Sequence, residues 1–362
     1  MVEVKIVRIK IINLAEEIDI KKAESCIKES SKDIPFSQSK LLYPKYINYT
    51  QAPLLVKNKT EIELNGKLKN TLIDTKIFEL GVVSAKIIID FSGSLEDARK
   101  KIIEIESTGK IDAILEQKVN EIAKKIDPAL KSKENEITFF ETYTIVFLKN
   151  DGKINCTDFV EKNRQEISRI LKSEKRKLSK QTIEKTTKRM LSYYDTDLVI
   201  VDENSSFIID TEIPFDTINV LEYSLVQLLE MRTYDKILDK KLDELYSEIE
   251  KTDSKKNYSK TLDELSKFTL WIQEITDKID NTMKLVGDNY FAQLYSFAVD
   301  EFHLKEWDES LKSKNRELEL IYQKLNNKVL EKHNQIYEIT LVLLELIIVI
   351  LIVIEVIPIL FP

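Results

Sequence analysis

Cysteine and histidine are almost missing from this 362-residue chain, with two of each. Cys26 and Cys156 stand far apart and outside any C-x-x-C spacing. That excludes a disulfide framework or a cysteine zinc site and makes a reducing compartment the default. With only His303 and His333 available, a Ser-His-Asp triad or a histidine-rich metal centre has no material. Glycine (6) and proline (7) are also scarce. This disfavours loop-rich β architectures, and neither a P-loop nor a G-x-G-x-x-G fingerprint occurs. No reaction is legible from these absences, and no metal or cofactor is expected. A basic balance is missing as well. The net charge of −7 argues against a chain that binds nucleic acid over its whole surface, while leaving room for a local basic patch. The N-terminal MVEVKIVRIKIINLAEE has no continuous apolar core and is not a signal peptide; it alternates as a strand does.

What is present is concentrated at the other end. From Ile339 to Phe361 the chain reads ITLVLLELIIVILIVIEVIPILF, with 19 of 23 positions Ile, Leu, Val or Phe. About 20 such residues cross a hydrocarbon layer roughly 30 Å thick. The expectation is a tail-anchored protein with one C-terminal span. Lys328, Lys332 and His333 lie just before it, so the bias of Lys and Arg keeps the bulk of the protein cytoplasmic. Glu345 and Glu355 sit inside the span, where an acidic residue costs about 2.5–3.5 kcal/mol at the centre and each Leu, Ile or Val returns about 0.3–0.6. Buried carboxyls of this kind call for a partner helix. Glu331, Glu338 and Glu345 share one stripe at spacings of seven. We therefore expect self-association through the anchor, with unpartnered snorkelling side chains or a proton or ion pathway as alternatives.

The pattern between the ends is that of an α+β protein: a mixed α/β head (1–214), a long three-helix antiparallel bundle or coiled-coil stalk (215–338) and the anchor (339–361). Strands are predicted at 2–12, 54–65, 70–79, 82–91, 137–148 and within 198–210, with a hairpin around Gly81. Pro35, Pro44 and Pro53 mark an irregular connection over 31–53. Helices are predicted near 19–30, from Ser94 to about Ala123 with Asp97 closing a capping box, at 157–171 and at 178–192. From 217 the period changes. Leu221, Leu225, Leu228, Leu238, Leu242, Leu245 and Ile249 form one seam. Leu265, Phe268, Ile272, Ile275, Ile279 and Val286 form a second, over a helix at 261–299. Leu304, Trp307, Leu311, Leu318, Ile321 and Leu325 form a third, which runs on into the anchor. An up-down-up arrangement puts the loop with Lys251, Lys255, Lys256 and Lys260 near the membrane and the 300–303 turn far from it.

Three further groups draw notice. The stretch 162–189 holds eleven Lys or Arg against three acids, among them Arg169, Lys172, Lys175, Arg176, Lys177 and Lys180. It could meet RNA or the ribosome, but no RNA-binding module accompanies it, and a solvated helical surface is the favoured reading. Gln227, Glu230, Arg232, Tyr234, Asp235 and Asp239 interrupt the first seam. They read as a buried register-setting network, with Arg232 and Asp235 spaced to pair, or as one wall of a ligand pocket. Asp202 and Asp210 flank a turn and have the chemistry to hold a hard cation.

Beyond these patterns, VLEYSLVQLLEMRTYDKILDKKLDELY (220–246), IDNTMKLVGDNYFAQLY (279–295) and LLELIIVILIVIEV (343–356), preceded by Asn326, Asn327 and His333, resemble the Required for Meiotic nuclear Division family. The resemblance covers residues 197–357 and implies a membrane-anchored protein without an assigned reaction. Some eukaryotic members are mitochondrial and linked to organellar translation. Together these readings favour a non-catalytic, homo-oligomeric scaffold or tether that holds a cytoplasmic protein partner at a membrane. The alternative is an enzyme or ligand sensor with its site in the head near 197–235.

Overall fold

The protein is seen as a computed structural model that describes residues 2–30, 51–64, 67–131, 139–250, 259–282 and 289–360. Most of the expected 31–53 connection and the lysines at 251, 255 and 256 lie outside the described residues. The chain packs as two compact units, residues 1–234 with 279–308 and residues 235–278 with 309–362. The change of sequence character at 214/215 is therefore not where the packing divides.

The first unit is built on a seven-stranded sheet. Strand β1 (Val2–Asn13) is central and antiparallel to both neighbours, β5 (Val82–Gly93) and β7 (Phe140–Lys149). Beyond β5 come β4 (Lys67–Ile77) and β3 (Leu54–Leu64); beyond β7 come β9 (Ser205–Asp210) and the edge strand β8 (Leu198–Val201). The β7–β9 pair is parallel, so the chain must cross over between them, and it does so through helices α4 (Cys156–Leu171) and α5 (Lys180–Lys188). A two-residue ribbon, β2 (Glu17–Ile18) with β6 (Leu130–Lys131), stands apart.

Both faces of the sheet are covered. Val4, Ile6 and Ile12 of β1 pack with helices α1 (Ile20–Ser30), α2 (Leu95–Thr108), α3 (Lys110–Lys125) and α4. Val7, Ile9 and Ile11, which alternate with them, are buried on the opposite face. Arg8 breaks the apolar row on the helix side, and its charge is met there. Its guanidinium grips Asp112 through two 2.8 Å bonds and donates to Thr144 Oγ1 at 2.6 Å.

Local chemistry sets the element ends. Ser94 caps α2, and the reciprocal bond with Asp97 completes the expected box. The single helix predicted from Ser94 to about Ala123 is two helices instead, because Gly109 takes a left-handed φ of 62° that ends α2 and starts α3. Gly81, in the β4–β5 hairpin, also has a left-handed φ, and a Cβ there would lie 1.9 Å from the Ala15 carbonyl oxygen. That carbonyl is main chain and has no rotamer to escape into. Gly81→Ala is expected to destabilise the first unit by about 2 kcal/mol or more. A melting temperature equal to that of the parent would contradict this.

The remaining helices are α6 (Phe215–Glu250), α7 (Ser259–Thr282), α8 (Asn289–Glu301) and α9 (Leu304–Leu360). Of the helix expected over 261–299, the described residues belong to α7 and α8, with 283–288 outside those described, and the expected 300–303 turn is present, with His303 at a φ of 55°. In the second unit, Leu238, Leu242, Leu245, Leu265, Ile272, Leu311, Leu318, Ile321 and Leu325 are buried. Asp235 meets Ser310 and Lys314 of α9, and Tyr246 meets Glu317. The contact positions advance together along both helices, so α6 and α9 run parallel. From Ile339 to Val353 the side chains of α9 are exposed, and the helix is long and apolar enough to cross a membrane.

Candidate ligand-binding site

Helix α6 is buried at every position from Thr217 to Met231. A seam of leucines predicts one buried face, and Leu221, Leu225 and Leu228 are indeed inside. Here the rest of the helix is inside too, so each polar side chain needs a partner. Ser224 donates back to the Val220 carbonyl at 3.0 Å. The Tyr295 hydroxyl of α8 donates to Gln227 at 2.6 Å. Burial, with Glu230 beside it, raises the Tyr234 hydroxyl well above its ordinary pKa.

The strongest demand comes from Glu222, which is fully buried. Lys76 of β4 and Lys86 of β5 both reach its Oε2, at 2.7 and 2.8 Å, and the Ser84 hydroxyl donates to Oε1 at 2.7 Å. Lys76 also donates to Asn219 Oδ1 at 2.7 Å. The alternation of the strands explains why these groups meet. Lys76 and Ser84 are cross-strand partners, and Lys86 lies two residues further along β5 on the same face. Two ammonium groups thus share one carboxylate. Burial lowers the Lys76 pKa to about 8 despite the attraction of Glu222, with Lys86 pushing the same way. For Glu222, burial acts upward, but Lys76 and Lys86 together outweigh it and hold the carboxyl at about 2.

Lys76 and Lys86 border a cavity of about 700 Å³ inside the first unit, within the range of small-molecule sites. Lys57 and Asp74, 3.9 Å apart, continue the sheet side of this cavity. Its other walls come from the segment 193–197, from residues 210–217 and from Tyr290 and Phe291 of α8. Tyr193 packs edge-on against Tyr194 and Tyr290, with ring centroids 4.8 and 5.8 Å apart. Asp197 holds this aromatic corner by accepting the main-chain N–H groups of Tyr193 and Tyr194 at 2.7 and 2.9 Å. Asp210 accepts from the Thr211 N–H, and its pKa is raised by burial and by the charge of Asp197.

The residues singled out from sequence are distributed differently. Gln227, Glu230, Arg232 and Tyr234 belong to the first unit, Asp235 and Asp239 to the second. The spacing-based pair Arg232–Asp235 does not form. Arg232 bonds Glu141 instead, with its guanidinium 5.9 Å from the centre of the Trp307 ring. Lys314 takes Asp235 and Asp239 at 2.8 and 2.5 Å. In the basic stretch, Arg169 is bonded to Glu166 and Lys172 to Asp202, the latter at 2.7 Å. Lys175, Arg176, Lys177 and Lys180 are exposed. Asp202 and Asp210 cannot share a cation as the turn suggested, because they flank opposite ends of β9 and Asp202 is already paired with Lys172. Lys260 is exposed near Glu264. Glu331, Glu338 and Glu345 are exposed on α9. Glu355 lies in the same helix, with its side chain outside those described.

The sequence reading passed over Lys76, Ser84, Lys86, Asn219 and Glu222. The signal existed: Glu222 stands alone in the apolar run INVLEYSLVQLL (218–229), and a lone carboxylate in a buried helix needs a cation. Cys156 is a buried thiol pushed up to about 11 by its burial, against the hydrogen bond of Asn150, and is inert as a nucleophile.

Comparison with known proteins gives one family. A protein of Methanocaldococcus jannaschii, "Uncharacterized protein MJ0711", is 25% identical over 224 residues, covering 59% of this chain and 67% of that protein. No solved structure gives a significant match. The family model described as "Uncharacterized protein MJ0711, N-terminal domain" matches residues 3–216, which hold the whole sheet and much of the cavity wall, and the chain belongs to that family.

Proposed function

We propose that this chain is a membrane-anchored binding protein whose first unit holds a small ligand, so that it acts as a sensor or tether and not as a catalyst. The observation that carries this reading is the cavity at Lys76 and Lys86, where two buried ammonium groups are balanced by one protein carboxylate. Two apolar residues in place of a buried Lys–Glu pair are often as stable, so a second ammonium group beside a void favours a ligand. The sensor reading of 197–235 is supported by the residues of that range that line the cavity. Anchoring rests on the apolar length of α9, with the bulk of the chain assigned to the cytoplasmic side by Lys328 and Lys332. The resemblance of residues 197–357 to the Required for Meiotic nuclear Division family supports the same anchored reading.

The test is native mass spectrometry of the full chain purified in mild detergent, beside the Lys76→Met variant. A bound small molecule is expected on the parent and at least about tenfold less on the variant, the loss of one charge-assisted contact. Equal occupancy of the two would count against the cavity. Self-association through the anchor is the second reading, favoured by the exposed stripe of Glu331, Glu338 and Glu345. Replacing Glu345 and Glu355 by Leu is expected to weaken detergent-resistant oligomers, and unchanged oligomers would sink it.

A further inference from the structure

The cavity is bipolar. At the sheet end, Lys57, Lys76 and Lys86 stand against Asp74 and Glu222, which leaves one positive charge in excess. An ammonium has three donors. Lys76 spends two, on Glu222 and Asn219, and Lys86 spends one short bond on Glu222 and a 3.5 Å contact on Asn219. Each therefore keeps donor capacity at the cavity edge. At the far end stand Asp197 and Asp210, which have main-chain donors but no basic partner among the described residues, and Asp216 also lines the cavity. Their mutual repulsion raises the cost of both being charged, and an ammonium group between them would remove it. Tyr193, Tyr194 and Tyr290 surround that end with aromatic rings, which favour a cation on their faces.

The sheet register gives the distance between the two ends. Lys86 is on β5 and Asp210 on β9, with β1 and β7 between them. Three strand spacings amount to about 14 Å. Lys86 lies opposite Ile9, which lies opposite Tyr143, whereas Asp210 lies opposite Lys149, six residues further along β7. That offset adds roughly 20 Å along the strands. Together these put the two Cα positions roughly 24 Å apart, and a lysine and an aspartate side chain extended towards each other bring the charged groups to on the order of 15 Å at the closest. A free amino acid cannot span this, but a chain of four or five residues, at about 3.3–3.6 Å each, can.

Resting on the ligand-binding reading above, we propose that the cavity takes a short peptide with free termini, its carboxylate held by Lys76 and Lys86 and its amine by Asp197 and Asp210. The peptide is the class of molecule that carries one charge of each sign at its ends, a carboxylate for the lysine end and an amine for the aspartate end, and it fills a volume of this size when extended. The aromatic corner adds contact with the first residue and sets no further demand on sequence.

The experiment is isothermal titration of the full chain in detergent with pentaalanine bearing free ends, with its N-acetyl and C-amide forms, and with free alanine. Pentaalanine is expected to bind about tenfold more tightly than either blocked peptide, and alanine not at all. Lys76→Met should abolish the preference for a free carboxylate while leaving the preference for a free amine. Asp197→Asn with Asp210→Asn should do the reverse. Blocked peptides that bind as well as the free one, or no binding by any of the four, would overturn the peptide assignment. A different molecule found in the purified protein and lost in Lys76→Met would overturn it while leaving the ligand-binding reading intact.

Discussion

Glu222→Gln is expected to unfold or nearly unfold the first unit, whereas Lys76→Met, at the strand end of the same ion pair, should leave it as stable as the parent or more so. The asymmetry follows from the count of charges. Without the carboxylate, two buried ammonium groups lose the anion that both bond, and breaking a buried pair from one side costs about 3–5 kcal/mol. Without Lys76, a neutral Lys86–Glu222 pair remains at 2.8 Å and Ser84 still donates to the carboxylate. The same cluster fixes a pH dependence. Glu222 has a folded pKa near 2, below its model-compound value of 4.5. Its contribution is therefore present above about pH 4.5 and is lost as the pH falls towards 2. Lys76 is also depressed, from 10.5 to about 8, but for a base this is a penalty on the charged form. Below pH 8 the penalty is fully present. Between pH 8 and 10.5 the folded state binds fewer protons than the unfolded chain, so stability rises with pH over that window. Lys76→Met should abolish the rise. The readout is urea unfolding followed by Trp307 fluorescence in a Trp271→Phe background, since Trp307 lies in the first unit and Trp271 in the second. A Glu222→Gln protein with the parent's midpoint would refute the shared-carboxylate cluster.

How far the sequence reveals this arrangement depends on the element. The strands were legible because alternation survives in β1 and β5 even though both faces are buried. The break at Gly109 was not, because α2 and α3 are both amphipathic and the apolar period runs across the glycine; only its left-handed φ ends the first helix. The seam of α6 was half legible. Leu238, Leu242 and Leu245 follow a one-faced pattern, but between Thr217 and Met231 the helix is enclosed, and there a heptad reading sorts residues into inside and outside when all are inside. For that reason Glu222 does not stand out, and Arg232 reads as a partner for Asp235. Asp197 and residues within 210–219 line the cavity, yet the lysines beside them come from β4 and β5, more than a hundred residues earlier. Nothing local in KIFEL or AKIII announces that their alternate positions face a helix and not water; only the sheet order and the crossover of α6 bring them together.

The anchor offers the second large effect. Ile350 lies at the middle of the apolar run, and on the anchored reading proposed above Ile350→Asp is expected to leave the protein mostly extracted. Nineteen apolar side chains contribute on the order of 6–11 kcal/mol to insertion, and two glutamates, even somewhat off-centre, take back roughly 5. The margin left is a few kcal/mol. One central aspartate costs about 3 kcal/mol and forfeits the isoleucine's share, which is enough to consume that margin. The same reasoning predicts rescue: Glu345→Leu with Glu355→Leu returns more than the aspartate takes, so the triple variant should insert again. The bound fraction after alkaline carbonate extraction measures each case. If Ile350→Asp stays wholly in the membrane fraction, the glutamates are not paying an insertion cost alone, and the carboxyls must already be satisfied by neighbouring helices. The oligomer reading then makes a further demand on the same samples: the Glu345→Leu, Glu355→Leu protein should insert more firmly than the parent while cross-linking less. Firm insertion with undiminished cross-linking would move the contact out of the span and onto the Glu331–Glu338 stretch of α9, where the stripe continues in water.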